Sequence, residues 1–464
     1  MQGKPASIIL LFLLLVSALV LAHNVQPVKA SGTITINADG SINPPTAPIS
    51  TLDNVTYTLV DNIIIIGELP YGSLGIIVER DNIIIDGDGY MVQGSGTTGY
   101  GFYCHNTNNV TIKRTNVNGW DQTAIRFDNA NNTTIIDNIA CNNDGNGIVS
   151  DGGQFNKILN NNVSYNGRMG IGAAHNRKLT IQLNTIENNG DGIQYGATES
   201  AILQNVISNN YGDGILFFGE SDTIGSFNKI ALNVIEGNQL GLEFLALLSP
   251  ANDLLYHNNV TNNIQQFVID ESGGTWVNTW NKGYPSGGNY WSDYAGEDLY
   301  CGPYQNETGS DGIGDTPYVL DVNNVDHYPL MNPYIETHDV AVTRVLAAPS
   351  VVCQGYGCEI MVSVANTGDF VETFNVTVYA NMTDTGNVTT IRTFPNVTLD
   401  SLDPMLPIFM WNTSGFDIGN YTISAYAMPV QGEMNIADNT FVDGTVEIIQ
   451  GMTGGSGGRM PYMN

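Results

Sequence analysis

The chain has 464 residues, more than one ordinary globular domain usually holds, so we expect two domains, one of them elongated. Its 15 Lys and Arg stand against 45 Asp and Glu, which gives a formal net charge of −30. No basic cluster lies outside the first thirty residues, and this argues against a protein that neutralises the phosphate backbone of nucleic acids.

The N-terminus has the layout of a signal peptide over residues 1–30. Lys4 precedes an apolar run, Ile8 to Leu21, and small residues suitable for cleavage follow at Ala22 and Ala30. The run is shorter than the roughly 20 residues that a membrane-spanning helix needs, and an uncleaved anchor is the alternative. We therefore expect an exported protein, extracellular or on the cell surface, with no membrane span in the mature chain.

A small residue followed by an apolar one recurs along the middle of the chain, mostly at intervals of 22 to 23 residues. The copies are Gly101-Phe102, Ala124-Ile125, Gly147-Ile148, Gly170-Ile171, Gly192-Ile193, Gly214-Ile215 and Gly241-Leu242. Two more apolar columns run in step: Ile112, Ile135, Ile158, Ile181, Leu203, Ile230 and Leu255, and then Val117, Ala140, Val163, Ile186, Ile207, Ile235 and Val260. Each repeat therefore contributes three short strands, and stacked coils of this kind form parallel sheets around a narrow core. The extra residues at Ser221–Ser226 predict a protruding loop.

Asparagine recurs at two turns of each repeat. One column holds Asn138, Asn161, Asn184, Asn205, Asn233 and Asn258, and the other holds Asn143, Asn166, Asn189, Asn210, Asn238 and Asn263. Asn tolerates the left-handed backbone of a tight turn, and amides stacked about 4.8 Å apart can hydrogen-bond to one another. We expect two ladders along the axis, with ligand binding by these residues as the alternative.

The repeat has the form DNxxIxxNxxxxNxxGIxx, which resembles the NosD-type, carbohydrate-associated right-handed β-helix family. Its most specific stretch, residues 287–331, resembles the closing segment that follows β-helix repeats in archaeal surface proteins. The resemblance implies a right-handed parallel β-helix, which we assign to residues 31–335, with an aromatic closing segment at 287–334. We expect the aromatic residues to cover the open strand edge of the last coil rather than to stack on sugars. They are Tyr290, Trp291, Tyr294, Tyr300, Tyr304, Tyr318 and Tyr328.

The composition changes at Thr337, where the Asn and Gly columns stop and strands of alternating polarity begin. Residues 337–449 are predicted to form a separate β-sandwich of the immunoglobulin type. The phrases VSVANTG and IADNTF are similar to the CARDB family, the adhesion-related modules of prokaryotic surfaces. Residues 450–464 are rich in Gly and Ser and predict a flexible tail.

Two features of the sandwich agree with an exported protein. Cys353 and Cys358 flank a short QGYG loop that one disulfide could close, and the total of five cysteines leaves at least one unpaired within the chain. Six Asn-x-Ser/Thr sequons predict a glycan coat. They begin at Asn375, Asn381, Asn387, Asn396, Asn412 and Asn420.

Catalysis would require clustered carboxylates on one face of the β-helix. Asp191 and Asp213 both precede the aligned Gly in adjacent coils, and Arg168 stands one coil earlier. Two such carboxylates could act as acid and nucleophile, or hold calcium, whereas Gly-Asp-Gly is also what a tight turn requires. We expect the turn role, because the outward neighbours Val149, Gly172, Gln194 and Leu216 offer few groups to grip an acidic sugar.

Metal binding has one candidate in the closing segment. Asp311 and Asp315 lie four residues apart in SDGIGD and resemble part of a calcium loop, with a plain turn as the alternative. We expect no required cofactor, and calcium is the one candidate ion. The six His form no column, so the copper-related periplasmic role that the NosD name implies ranks third.

We interpret the chain as a secreted or cell-surface protein that binds glycans or takes part in adhesion, with extracellular glycans or surface proteins as partners. The alternative is a polysaccharide lyase or glycoside hydrolase that acts on an extracellular polysaccharide. The β-helix fold carries both classes, so the residues of the site must decide between them.

Overall fold

The computed structural model describes residues 28–30, 32–65, 73–97, 99–218, 227–245, 252–270, 277–401 and 403–451. Most of the predicted signal segment, the predicted loop at Ser221–Ser226 and all but the first two residues of the predicted tail lie outside these ranges. The chain divides into two compact units between Tyr334 and Ile335. Within the described ranges, no helix is long and apolar enough to cross a membrane.

The first unit is a right-handed parallel β-helix with three long sheets. Sheet A contains Val28–Ala30, Ile63–Ile65, Met91–Thr97, Asn116–Trp120, Ile139–Ala140, Asn162–Ser164, Thr185–Glu187, Val206–Ser208, Val234–Glu236, Asn259–Thr261 and Tyr290–Trp291. Sheet B contains Ile42–Asn43, Ile34–Ile36, Ser73–Val78, Gly99–His105, Thr123–Asp128, Asn146–Gln154, Met169–Arg177, Asp191–Thr198, Asp213–Phe218, Leu240–Leu245 and Gln265–Asp270. Sheet C contains Ile49–Ser50, Thr56–Leu59, Ile83–Asp86, Val110–Lys113, Thr134–Ile136, Lys157–Leu159, Thr180–Gln182, Ala201–Leu203, Lys229–Ala231 and Leu254–Tyr256.

The predicted inward column of sheet B is confirmed. The aligned residues pair in register from coil to coil: Phe102, Ile125, Ile148, Ile171, Ile193, Ile215 and Leu242. All of them are at most 1% exposed. Each buried side chain of this size contributes about 1.5–3 kcal/mol of apolar transfer free energy, so the column forms a large part of the core.

One member of the sheet C column was placed wrongly by the sequence analysis. Ile181 pairs with Ile202, whose side chain is fully buried, and Leu203 pairs with Gln182 and is half-buried. The coil is shorter at this point, and a slip of one residue moves a side chain to the opposite face of a strand. The neighbouring Ile207 keeps the predicted inward position because it pairs with Ile186.

The two asparagine columns form continuous amide ladders. Asn161 Nδ2 donates to Asn184 Oδ1 at 3.0 Å, and Asn184 Nδ2 donates to Asn205 Oδ1 at the same distance. The same Oδ1 atoms also accept the backbone N–H of the preceding ladder residue, as Asn184 Oδ1 does from Asn161 at 2.9 Å. The pattern continues to Asn289, a member that the sequence analysis missed, and Asn289 Nδ2 lies 3.4 Å from Asp326 Oδ2. The ladders are therefore structural.

The predicted reason for asparagine at these turns was partly wrong. The left-handed backbone belongs to the residue before each ladder position, for example Asn160, Leu183 and Gln204, and not to the ladder residues. Asn is required at the ladder positions because its amide both donates and accepts along the axis. The left-handed positions before them accept several residue types.

The closing segment covers the last coil, as predicted for Trp291, Tyr294 and Tyr318. The strand Tyr290–Trp291 pairs with Asn259–Thr261 as the last strand of sheet A, and Tyr318 stacks on Trp291 with ring centroids 4.6 Å apart. Trp280, which lies before the predicted segment, is 1% exposed and is buried with Trp291 at this end of the β-helix core. Two members of the predicted set, Tyr300 and Tyr304, are instead exposed. Two short hairpins complete the segment: Tyr300–Cys301 with Glu307–Thr308, and Tyr318–Val319 with Val325–Asp326.

The second unit is an immunoglobulin-like sandwich of two sheets. One sheet contains Val340–Ala348, Gly357–Asn366, Pro404–Met405 and Ile408–Asn412. The other contains Val351–Cys353, Thr440–Ile449, Gly419–Ala427, Glu372–Met382 and Val388–Leu399, and a short 3-10 helix spans Thr413–Gly415. Alternate residues of these strands are buried, for example Val376 and Val378, so each strand presents one face to the core.

Candidate functional site

The outer face of sheet B carries the most varied chemistry of the β-helix. Alternate positions of its strands point outward, and parallel pairing aligns them from coil to coil. One outward column runs through Tyr103, Arg126, Val149, Gly172, Gln194, Leu216 and Glu243. Because neighbouring strands lie about 4.8 Å apart, the face is a long flat surface on which successive coils present successive side chains.

An aromatic row crosses this face on the strand Gly99–His105. Tyr100 and Tyr103 stack with ring centroids 5.3 Å apart, and Tyr103 and His105 stack at 5.9 Å. Tyr100 and Tyr103 are partly exposed and His105 is exposed. The guanidinium of Arg126 lies 5.6 Å from the centre of the Tyr100 ring. Partly exposed aromatic rings next to hydrogen-bonding groups suit a flat, polar ligand.

Charged groups continue the row over the next coils. Arg126 is paired with Asp128 at 3.0 Å and with Asp151 at 3.2 Å. His175 Nδ1 lies 2.9 Å from Asp151 Oδ1. These contacts hold the side chains in fixed positions on the face, and Arg126 is balanced by two carboxylates. We call Tyr100, Tyr103, His105, Arg126, Asp128 and Asp151 the aromatic platform.

The predicted carboxylate pair lies farther along the same face and has a third member. Asp213 and Glu243 share a hydrogen bond between their carboxyl groups, and Asp191 lies beside them. Burial, together with Glu243 and Asp191, raises the pKa of Asp213 to about 8, so this carboxyl is protonated at neutral pH. We call Asp191, Asp213 and Glu243 the acid cluster.

Both carboxylate oxygens of Asp191 accept hydrogen bonds from neighbouring residues. Its Oδ1 accepts the backbone N–H of Asp213 at 3.1 Å, and its Oδ2 accepts from Gln194 Nε2 at 2.8 Å. These contacts join adjacent coils, as the turn interpretation of the pair predicts. Arg168 is exposed, and the register aligns Asp191 with Met169, one residue after the arginine. No ion pair of Arg168 is seen with any residue in the described part of the chain.

Glu243 and the aromatic platform were not predicted from the sequence, although the repeat pattern contains an indication of Glu243. Glu243 is the next member of the outward column after Leu216, and it follows directly on the aligned Gly241-Leu242 pair. Extending that column by one coil would have found it. The platform lies at the opposite end of the same column, with its aromatic residues on the first aligned coil and its charged residues on the next two.

Asp311 and Asp315, the predicted calcium ligands, are engaged by donors of the closing segment. Asp311 Oδ1 accepts from the Ile313 N–H at 3.1 Å, and Asp315 accepts from the N–H groups of Leu299 and Tyr300 at 2.9 and 3.0 Å. These bonds fit the turn alternative. Calcium binding at this position stays a prediction.

The predicted disulfide is not formed in the structure, in which Cys353 and Cys358 are both free thiols. Cys358 points into the sandwich core, where it is fully buried and donates to the Pro349 carbonyl at 3.5 Å. Burial raises the pKa of the Cys358 thiol. Cys353 lies at the end of its strand and is only half-buried, so the two thiols occupy different environments.

Four of the six predicted sequon asparagines of the sandwich are exposed: Asn387, Asn396, Asn412 and Asn420. Asn375 and Asn381 are half-buried, and Asn375 Oδ1 accepts the Asn396 N–H at 2.9 Å. Glycosylation stays a prediction, and the exposed four are the accessible acceptors.

The fold defines the class of protein: a parallel β-helix repeat protein with an immunoglobulin-like sandwich after it. Residues 78–296, just under half of the chain, match a family described as periplasmic copper-binding protein (NosD). The matched part of the first unit is therefore similar to this family. No curated protein sequence matches the chain.

Several solved structures resemble parts of the chain. One is the CARDB domain of the PF1109 protein from Pyrococcus furiosus in complex with di-metal ions, at 24% identity and a TM-score of 0.21, covering 25% of this chain and 99% of that one. Another is the A-module of the mannuronan C-5 epimerase AlgE4 from Azotobacter vinelandii, at 16% identity and a TM-score of 0.33, covering 53% and 89%. A third is a periplasmic alginate epimerase, AlgG, at 17% identity and a TM-score of 0.33, covering 42% and 47%.

Among the described residues, no group of three ligating side chains contains a histidine or a cysteine. Copper favours imidazole, thiolate and thioether ligands, and His105, His175 and His257 of the matched region lie in different coils. Cys104 faces the core, where burial raises the pKa of its thiol to about 12. Across the described ranges, the one group of three metal-ligating side chains is made of carboxylates and lies in the sandwich.

Proposed function

We propose that the chain is an exported protein that binds neutral extracellular glycans on the aromatic platform of sheet B. Export rests on the layout of the first thirty residues and agrees with the periplasmic description of the matched family. The observation that carries glycan binding is the stacked row of Tyr100, Tyr103 and His105 on an open strand face.

Pyranose rings present apolar C–H faces, which pack on aromatic rings, and hydroxyl groups, which bond to charged and amide side chains. The platform offers both, because Arg126 and Asp128 lie on the strand next to Tyr100 and Tyr103. A neutral glycan fits better than a polyuronate. Arg126 is already neutralised by Asp128 and Asp151, and the chain as a whole carries a formal charge of −30.

The test is a glycan array followed by calorimetry with the best neutral ligand. Tyr103→Ala is expected to weaken binding at least tenfold, because the stacking surface is lost. Tyr211→Ala removes a tyrosine that is 79% exposed elsewhere on the same β-helix, and it is expected to leave binding unchanged. Equal loss in both variants, or binding of acidic glycans only, would contradict the proposal.

The acid cluster favours a second candidate function, hydrolysis of a glycan on the same face. A carboxyl with a raised pKa beside a second carboxyl group is the arrangement that glycosidases use for a general acid and its partner. Asp213 would be the acid, and Asp191 or Glu243 the partner. Reducing sugar released by the wild-type chain and lost in Asp213→Asn, with unchanged glycan binding, would establish this function. No release from any glycan that the platform binds would exclude it.

A further inference from the structure

Three carboxylates converge at one end of the sandwich. Asp339 precedes the first strand, Val340–Ala348, whereas Glu433 and Asp438 lie in the segment before the last strand, Thr440–Ile449. Each offers one oxygen within 4.8 Å of the others, and all three residues are half-buried. The cluster contains no cationic side chain to balance it, so three like charges face one another.

Two of these carboxylates have an oxygen that finds no donor. Asp339 Oδ2 accepts from Thr367 Oγ1 at 2.8 Å, and Asp438 Oδ2 accepts from Asn435 Nδ2 at 2.9 Å. The other oxygen of each, Asp339 Oδ1 and Asp438 Oδ1, is buried and has no hydrogen-bond partner in the described structure. A buried charged oxygen without a partner is costly.

A fully buried amide gives an independent indication of a ligand. Asn439 is 0% exposed, and its Nδ2 donates to Glu433 Oε1 at 2.9 Å, which brings the amide against the cluster. Its Oδ1 has no partner among the described residues. Buried amide oxygens are nearly always bonded, so this atom is, like the two carboxylate oxygens, an unsatisfied hard ligand.

A cavity borders the cluster at Asp339. The cavity, of about 200 Å³, is lined by Asp339 together with His338, Gly432, Met434 and Asn435. It can hold the water molecules that complete the coordination shell of an ion bound mainly by side chains.

We propose that Asp339, Glu433 and Asp438, with the Asn439 amide oxygen, bind a divalent cation, and that the cation is calcium. The ligands are all oxygens, which hard cations prefer, and calcium tolerates an irregular shell completed by water, whereas magnesium demands a near-ideal octahedron. The ion would join the first strand to the segment before the last strand. Two protein bonds already connect them: Val340 N–H donates to Glu433 Oε1, and Val342 N–H donates to the Asp438 carbonyl.

The experiment is a calcium titration of the full chain by calorimetry, compared with magnesium. The wild type is expected to bind one calcium ion at this site, at least tenfold more tightly than magnesium. Asp438→Asn is expected to weaken that binding at least tenfold. Asp384→Asn, which removes one charge from an exposed turn of the same unit, is the matched control and keeps wild-type binding. Binding that is absent, unchanged by Asp438→Asn, or equally tight for magnesium overturns the proposal.

Thermal melting supplies a readout that a purely structural cluster would not give. In EDTA, Asp438→Asn is expected to melt at or above the wild-type temperature, because one of three like charges is removed. In excess calcium the order reverses, because the ion stabilises only the wild type by mass action. If Asp438→Asn does not fold, Asp339→Asn is measured in the same way. An order that is the same in EDTA and in calcium overturns the proposal.

Discussion

The β-helix and the sandwich bury their cores through contacts of different range. In the β-helix each strand pairs with the equivalent strand of the next coil, as Ile148 does with Ile171 and Ile171 with Ile193. In the sandwich, the backbone N–H of Val340 donates a hydrogen bond to the carboxylate of Glu433, 93 residues away. Stability in the β-helix is therefore a sum over neighbouring coils, whereas the sandwich also depends on contacts between segments far apart in sequence. The following changes test that difference.

The largest effect is expected from a charge in the inward column. Ile171→Asp places an unpaired carboxylate where the native side chain is 0% exposed, between Ile148 and Ile193, and is expected to cost about 4–5 kcal/mol or more. Chemical denaturation followed by circular dichroism measures the loss. Leu183→Asp, at a position that is 50% exposed in the same coil, is the control and is expected to have little effect. Similar losses at the two positions would refute the assigned register.

A smaller loss is expected from breaking one amide ladder. Asn184→Ala removes the acceptor for the Asn161 N–H and the donor to the Ile158 carbonyl, both buried, and is expected to cost about 2–4 kcal/mol. Asn118→Ala removes one partly exposed bond, to Asn116, and is expected to cost less than about 1 kcal/mol. Equal stability of the two variants in urea denaturation would show that the ladder does not stabilise the coils.

The acid cluster predicts a pH dependence that belongs to the β-helix. The pKa of Asp213 is about 8 in the folded chain, above its ordinary value of 3.8, so the folded state holds the extra proton between these values. The free energy of unfolding is therefore expected to fall as pH rises from about 4 to 8, with a slope of up to about 1.4 kcal/mol per pH unit from this group. Asp213→Asn is expected to flatten the profile. An unchanged profile in the variant would mean that Asp213 does not hold this proton.

The smallest effect on the melting temperature is expected from a reducing agent that acts on the cysteines of the sandwich. Because Cys353 and Cys358 are free thiols in the structure, a reducing agent is expected to leave the melting temperature unchanged. A disulfide would instead contribute about 2–4 kcal/mol and be lost on reduction. Mass spectrometry of the chain after alkylation in denaturant without reductant gives the direct answer, since a linked pair takes up no alkylating agent, whereas a buried free thiol becomes accessible.

The columns of the β-helix could be predicted because each coil repeats the same environment. Five successive coils, from Ile125 to Ile215, carry isoleucine at the same position, which indicates one inward column. A different residue in one coil would leave this pattern recognisable. The assignment of Leu203 failed where a coil was shorter, because the alignment then has to choose between adjacent apolar residues. Glu243 was not predicted because the outward column was followed only as far as Leu216. The next coil comes after a longer interval, between Gly214 and Gly241.

The candidate sites depend on contacts that periodicity does not contain. Tyr100 and Tyr103 are three residues apart, so strict alternation from the buried Phe102 would place them on opposite faces, whereas the structure stacks their rings on the same face. The carboxylates of the sandwich lie about a hundred residues apart in sequence, and the fold alone brings Asp339 to Asp438. The sequence predicted the strand pattern there, but not which strand ends would meet.

The bonds between the side chains of the amide ladder all run in one direction. Each Nδ2 of the first ladder donates to the amide oxygen of the next coil, as Asn233 donates to Asn258 and Asn258 to Asn289, and it also donates back to a backbone carbonyl of the preceding coil. Linked hydrogen bonds polarise one another, and this ladder ends at Asn289. The carboxyl of Asp326 lies at that end and accepts the Asn289 N–H at 2.8 Å. Burial raises the pKa of Asp326 to about 6, so it is ionised at neutral pH and gives the last residue of the ladder a charged acceptor. The closing segment thus terminates the coils electrostatically as well as sterically.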